Sequence, residues 1–130
     1  MEAQQHSILL TMTTAAHTLG RAGEEAAAAY LATLGYELVA RGYRYRRAEV
    51  DLIVRQGSTL LVFVEVKSRS SSQFGYPETF VTARKQQLFR LAAEQLQEEL
   101  NWTGDIRFDI LAVTPGATGF RIEHFEDAFY

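Results

Sequence analysis

Apolar residues recur along the chain at two different periods, and each change of period marks a new element. Between Gly20 and Leu34 the run GRAGEEAAAAYLATL is rich in alanine, with Ala26, Tyr30 and Leu34 at helical spacing and Gly35 placed to cap the C-terminus. Tyr36 to Tyr45 alternates loosely around Leu38 and Val39 and ends in aromatics separated by arginines, the pattern of a strand with one solvated face. Two runs rich in β-branched residues, Val50 to Arg55 and Leu60 to Lys67, flank Gln56-Gly57-Ser58-Thr59, which supplies turn chemistry and predicts a β-hairpin. The serines, Gly75 and Pro77 make Ser68 to Pro77 a loop, expected to be the most mobile segment. Thr82 is placed to cap a second helix with an apolar stripe of Leu88, Leu91, Ala92, Leu96 and Leu100, which ends over Asn101 to Gly104. Ile106 to Val113 and Gly119 to His124 read as two strands around a Pro115-Gly116 turn.

The resulting order, α-β-β-β-α-β-β, predicts an α/β fold with a mixed β-sheet flanked by helices. A length of 130 residues with 47% hydrophobic content suits one compact domain, here residues 20–130, with residues 1–19 as an N-terminal extension. With no cysteine, disulfides, thiolate metal sites and cysteine nucleophiles are excluded, so a bound metal would need oxygen or imidazole ligands. Glu2 stands where a signal peptide would carry basic residues, and the apolar piece from Ile8 to Leu10 is too short to span a bilayer. A cytoplasmic protein with no membrane partner is the expectation.

A net charge of -3 argues mildly against a polyanionic partner, but the charge is unevenly distributed. Residues 41–69 hold seven basic and three acidic side chains, a local charge of +4, which leaves -7 for the rest of the chain. Arg41, Arg44, Arg46 and Arg47 interleave with Tyr43 and Tyr45, a composition suited to phosphate contact and base stacking and equally to an edge strand guarded by arginine. Arg69, and Lys85 near the start of the second helix, are further candidates for phosphate contact, with Arg84 beside Lys85.

The hairpin is apolar apart from its turn, yet it contains Asp51 and Glu65. Burying an unpaired carboxylate costs several kcal/mol, so something must neutralise both. Alternation along the second strand puts Leu61, Phe63, Glu65 and Lys67 on one face, and a turn centred on Ser58 opposes Asp51 to Glu65 on that face. Directly opposed Cβ atoms lie about 5 Å apart, close enough for two carboxylates to share one divalent cation. A two-residue turn would instead send Glu65 to the other face, so the reading requires an odd-length loop or a bulge. His6, His17 and His124 show no ligand spacing and read as surface residues, and Asp109 reads as the partner of a basic neighbour such as Arg107.

Asp51, followed after thirteen residues by Glu65-Val66-Lys67, resembles the D…(D/E)xK signature of the restriction-endonuclease-like PD-(D/E)xK nuclease superfamily. More closely, the motifs Gly20-x-x-Gly23-Glu24-x-x-Ala27, Glu49-Val50-Asp51-Leu52-Ile53, Phe63-Val64-Glu65-Val66-Lys67-Ser68-Arg69, Phe74-Gly75-x-Pro77, Arg107-Phe108-Asp109 and Ala128-Phe129 resemble the YraN-like family of small bacterial proteins. Two positions depart from that family's pattern, Ala48 where glycine is usual and Gly42 where asparagine is usual. The resemblance implies a restriction-endonuclease-like sandwich similar to archaeal Holliday-junction resolvases. It implies Mg²⁺ or Mn²⁺ held by Asp51, Glu65 and the Val66 carbonyl, Lys67 acting on the attacking water, and Glu24 contributing from the first helix. The implied function is metal-dependent hydrolysis of phosphodiester bonds in nucleic acid, DNA more than RNA and branched DNA among the candidates, in a protein compatible with a homodimer. The alternative is a nucleic-acid-binding or protein-interaction module that keeps the fold without cleaving.

Overall fold

A computed structural model of the chain describes residues 15–69 and 81–130. Helix α1 (Ala15–Thr33) is followed by strands β1 (Glu37–Tyr45), β2 (Ala48–Gln56) and β3 (Leu60–Ser68), helix α2 (Ala83–Leu100), and strands β4 (Asp105–Gly116) and β5 (Gly119–Phe129). The strands form one mixed sheet in the order β1-β2-β3-β4-β5, in which β3 and β4 run parallel and every other pair is antiparallel. The parallel step needs a crossover, which α2 supplies, whereas the antiparallel steps need only short turns. The element order and the mixed sheet agree with the expectation from periodicity. Phe74-Gly75-x-Pro77, the Ile8–Leu10 piece and His6 lie outside the described residues.

Each helix ends where its sequence says it should. Gly35, at φ +90°, lets the Tyr36 amide donate to the Leu31 carbonyl and close α1. The Thr82 hydroxyl accepts from the Lys85 amide at 3.1 Å, and Asn101 in the left-handed region turns the chain out of α2, where the Trp102 amide donates to the Gln97 carbonyl. One turn lies later than the sequence suggested: Pro115 and Gly116 remain in the ladder, paired with Phe120 and Gly119, and the chain reverses over residues 117–118. β5 also runs on to Phe129 rather than stopping at His124, because Asp109 accepts from the Asp127 amide across a register shift and holds the strand's second half.

Two apolar layers cover the sheet. On one face Phe89, Ala92, Ala93 and Leu96 of α2 pack on Ile53, Leu61, Phe63 and Ile110. On the other, Ala27 and Leu31 of α1 pack on Leu52, Val54, Val62, Val64 and Leu111. Gly23 brings α1 against the end of β3, where a Cβ would run into the Ser68 side chain. Gly104 is tighter still, since a Cβ there would lie 2.7 Å from the backbone carbonyl oxygens of both Ser58 and Thr59, beside the 2.8 Å bond from the Asp105 amide to Thr59. Gly104→Ala is therefore expected to cost about 1–3 kcal/mol in urea unfolding, since fixed backbone atoms must move. An unchanged midpoint would show that this junction yields freely.

Candidate metal and nucleic-acid site

The β2–β3 hairpin has a three-residue loop, with Gln56 paired to Leu60 and the pairs continuing in register to Leu52 and Val64. This is the odd-length loop that the opposition of Asp51 to Glu65 requires. Beyond Leu52 the ladder opens. There Asp51 Oδ2 accepts from the Val66 amide at 2.8 Å, so a side chain takes over from the backbone of β2 and fixes the carboxylate against Glu65-Val66-Lys67.

A slip in alternation aims Asp51 at this place. Val50 and Ile53 both pack under α2, whereas Leu52 between them packs under α1. Strict alternation would put Val50 with Leu52, so the period shifts by one residue at Asp51. β1 matches it: Ala40 and Tyr43 both pack toward α2, and the pairs Arg41↔Leu52 and Tyr43↔Val50 leave Gly42, at φ +57°, across from Asp51. A glycine serves well where the chain turns left-handed inside a strand. Gly42, one of the two departures from the family pattern, thus stands at the irregularity that orients the first candidate ligand.

Glu65 is only 3% exposed, and its Oε2 has no hydrogen bond among the described residues. Lys85 Nζ lies 2.7 Å from this oxygen and faces it as a counter-charge. Burial pushes the Glu65 carboxyl up to about 7, helped by the negative charge of Asp51 and opposed by Lys85. The two carboxylates are thus neighbours that repel, one of them nearly dry. Beside Asp51 a cleft of about 310 Å³ opens between the β1–β2 turn and the start of α2, lined by Glu49 and Asp51 and by the cations Arg47, Arg84 and Lys85, the last of which reaches from it to Glu65.

The remaining residues singled out in the sequence are dispersed around this pair. Lys67 is half-buried two residues beyond Glu65, on the same face by alternation, and forms no ion pair with another described residue. Glu24 is half-buried on α1 beside Gly23, at the end of β3 but on the helix that covers the opposite face. Arg41, Arg44, Arg46 and Arg47 are exposed along β1 and its turn; Arg44 pairs with Glu49 at 3.3 Å, and Arg46 lies over the Tyr45 ring at 5.2 Å. Arg69 is exposed just past β3, where its amide continues the pairing to Val113. Tyr43 is committed to the fold, since its ring packs on the α2 core and its hydroxyl donates to Glu99 at 3.1 Å. Burial, then Glu99, pushes its phenol up to about 12, so it stays neutral.

Arg107 pairs with Asp109 as the sequence suggested, through Nε at 2.8 Å. His124 corrects the surface reading: its side chain is 8% exposed, with Nε2 at 2.7 Å from Asp109 Oδ2 and Nδ1 at 3.0 Å from the Tyr30 hydroxyl. Alternation along a half-polar strand gave no sign of this, because its partners come from β4 and α1. The Glu65 to Lys85 pairing was also hidden, since the two residues lie on different elements across the crossover.

Residues 23–113 match a family described as Uncharacterised protein family UPF0102. The chain is 42% identical over 112 residues to a UPF0102 protein of Christiangramia forsetii, covering 86% of this chain and 93% of that protein. It is 44% identical over 121 residues to a UPF0102 protein of Chlorobium limicola, covering 88% and 93%, and 43% identical over 121 residues to one of Pelotomaculum thermopropionicum, covering 91% and 100%.

Proposed function

The chain belongs to the UPF0102 family, and from that premise we propose that it is a divalent-metal-dependent nuclease of the restriction-endonuclease-like superfamily, acting on the phosphate backbone of nucleic acid. The observation that carries this reading is the buried Glu65 oxygen without a hydrogen bond, set beside the Asp51 carboxylate at the edge of a cation-lined cleft. A buried carboxylate held at a cost beside a half-buried one is an arrangement that a hard cation would relieve.

The donor set fits Mg²⁺ or Mn²⁺. Asp51 and Glu65 would supply carboxylate oxygens and Val66 its backbone carbonyl; among the described residues no third acidic or histidine side chain joins them, and Mg²⁺ commonly keeps several waters. When bound, such an ion supplies Lewis-acid stabilisation of a phosphate and a more acidic water. The chain's own residues do the rest. The Val66 amide orients Asp51, the apolar hairpin excludes bulk water around Glu65, and Lys67 offsets charge near the carboxylates and orients the attacking water. Arg47 and Arg84 hold the backbone at the mouth of the cleft, and Arg41, Arg44, Arg46 and Arg69 extend the basic surface. DNA is the favoured substrate, with branched forms included.

The test is a cleavage panel of linear, flapped and four-way DNA and RNA with Mg²⁺ or Mn²⁺, beside binding measured in chelator. Cleavage of at least one form, lost on chelation, supports the reading; binding without any cleavage hands it to a non-catalytic module of the same fold. Binding is expected to be insensitive to sequence, because it rests on exposed arginines that contact phosphate rather than base edges. Neutralising Arg44 and Arg46 should weaken binding to every duplex and lower the slope of log K against log salt by about 0.9 for each phosphate no longer neutralised. An unchanged slope would place the nucleic-acid surface elsewhere.

A further inference from the structure

Lys85 and a divalent cation would compete for one oxygen. Lys85 Nζ is 2.7 Å from Glu65 Oε2, whereas a Mg²⁺ ligand oxygen lies about 2.0–2.1 Å from its ion. An ammonium and a dication packed that closely on one buried carboxylate would repel strongly, so the two occupancies exclude one another. The lysine is able to leave: its side chain is 38% exposed, on a flexible stem in the first turn of α2, at a cleft it shares with Arg47 and Arg84. The carboxylate cannot follow, being 4% exposed in its side chain and fixed in β3.

Resting on the metal reading above, we propose that Lys85 is a resident counter-ion of the metal-free site, which a divalent cation displaces from Glu65 into the cleft, where it becomes a phosphate ligand. In the metal-free chain Lys85 supplies the ion pair to a carboxylate buried beside Asp51. It holds that position from the cleft side through an ion pair at 2.7 Å, with 38% of its side chain exposed, so a dication that binds the carboxylate more strongly can displace it. Once released, its ammonium adds to Arg47 and Arg84 on the basic wall of the cleft. Metal loading and affinity for the nucleic-acid backbone are then coupled, each strengthening the other through one side chain. The pairing also sets a threshold, because the ion must outcompete an ammonium held at very high effective concentration.

The experiment titrates Mn²⁺ by calorimetry at pH 8.5, without nucleic acid, into wild type, Lys85→Met and Lys85→Gln; the glutamine keeps a polar donor near Glu65 should the methionine variant fold poorly. Removing the competitor should tighten Mn²⁺ binding by roughly tenfold in whichever variants are folded. A parallel arm measures affinity for a short DNA duplex in chelator and in Ca²⁺, where wild type should gain more from the ion than either variant. If wild type binds Mn²⁺ and the variants bind it equally or more weakly, the displacement is overturned and the metal reading stands. If neither wild type nor variants bind Mn²⁺, the metal reading falls and the displacement falls with it. If Mn²⁺ tightens as expected but Ca²⁺ aids duplex binding equally in all three, the transfer to phosphate is overturned.

Discussion

Glu65→Gln is expected to abolish metal-dependent cleavage and, in the same molecule, to stabilise the metal-free fold above neutral pH. Changes to groups that merely support a metal ligand cost about 10–100-fold, so removing the charge of a ligand itself should cost at least about 100-fold. Nucleic-acid binding in chelator should persist, because it is assigned to arginines elsewhere. The stability effect follows from the carboxyl being pushed from its ordinary 4.5 to about 7, by burial first and by Asp51 second. A carboxyl raised on folding is disfavoured in its ionised form. The penalty is absent below about pH 4.5, grows between there and about 7, and is constant above. Across that window it amounts to about 3 kcal/mol, and glutamine removes it while the half-exposed Lys85 turns to water. Urea unfolding of both proteins in chelator, at pH 5 and pH 8, reads the difference: the variant's advantage should open at the higher pH. An advantage equal at both would mean that Glu65 titrates normally.

Asp109→Asn should be the most damaging single substitution in the described core. Asp109 is fully buried and accepts from Arg107 Nε and a second guanidinium nitrogen at 2.8 Å each, from the Asp127 amide at 3.0 Å, and from His124 Nε2 at 2.7 Å. With the imidazole proton on Nε2, His124 donates to Asp109 and accepts at Nδ1 from Tyr30, while Arg107 also donates to the Tyr36 hydroxyl at 2.8 Å. One carboxylate thus fastens β4 to β5, to α1 and to the residue before β1. Asparagine offers one acceptor oxygen in place of two and leaves the guanidinium, 18% exposed, with only the more distant Glu126 carboxylate at 3.8 Å as counter-charge among the described residues. Breaking a buried pair from one side costs about 3–5 kcal/mol, a large part of the roughly 5–15 kcal/mol that holds a domain together. Burial alone would raise the Asp109 carboxyl, but the bonds from His124, Arg107 and the Asp127 amide outweigh it and hold it below the usual range. Its stabilisation is therefore present above about pH 4 and lost as pH falls through the depressed value. Acid titration of thermal stability should show the gap between wild type and Asp109→Asn narrowing below about pH 4; a gap that persists there would assign the loss to shape rather than charge.

Local signals were enough for the scaffold. Gly35, Thr82 and Asn101 bound the helices because the bonds they make lie within a few residues, and the Gly57–Thr59 turn fixes the register that opposes Asp51 to Glu65. The identity of the carboxylate pair was legible for the same reason: two charges in an apolar hairpin are anomalous in any packing. Other features depend on residues far apart in the chain. The slip of alternation at Asp51 needs Gly42 across the sheet, and a periodic pattern read along β2 alone averages over it. His124 looked like a surface residue because its burial comes from Asp109 and Tyr30, which meet it only when α1 packs on the sheet. Lys85 looked like one more basic residue at a helix start; only the crossover through α2 brings its ammonium to Glu65. Hydrophobic period and turn chemistry are local properties and can be read from sequence, whereas the charge facing a buried group is set by whatever the fold brings within a few ångströms of it.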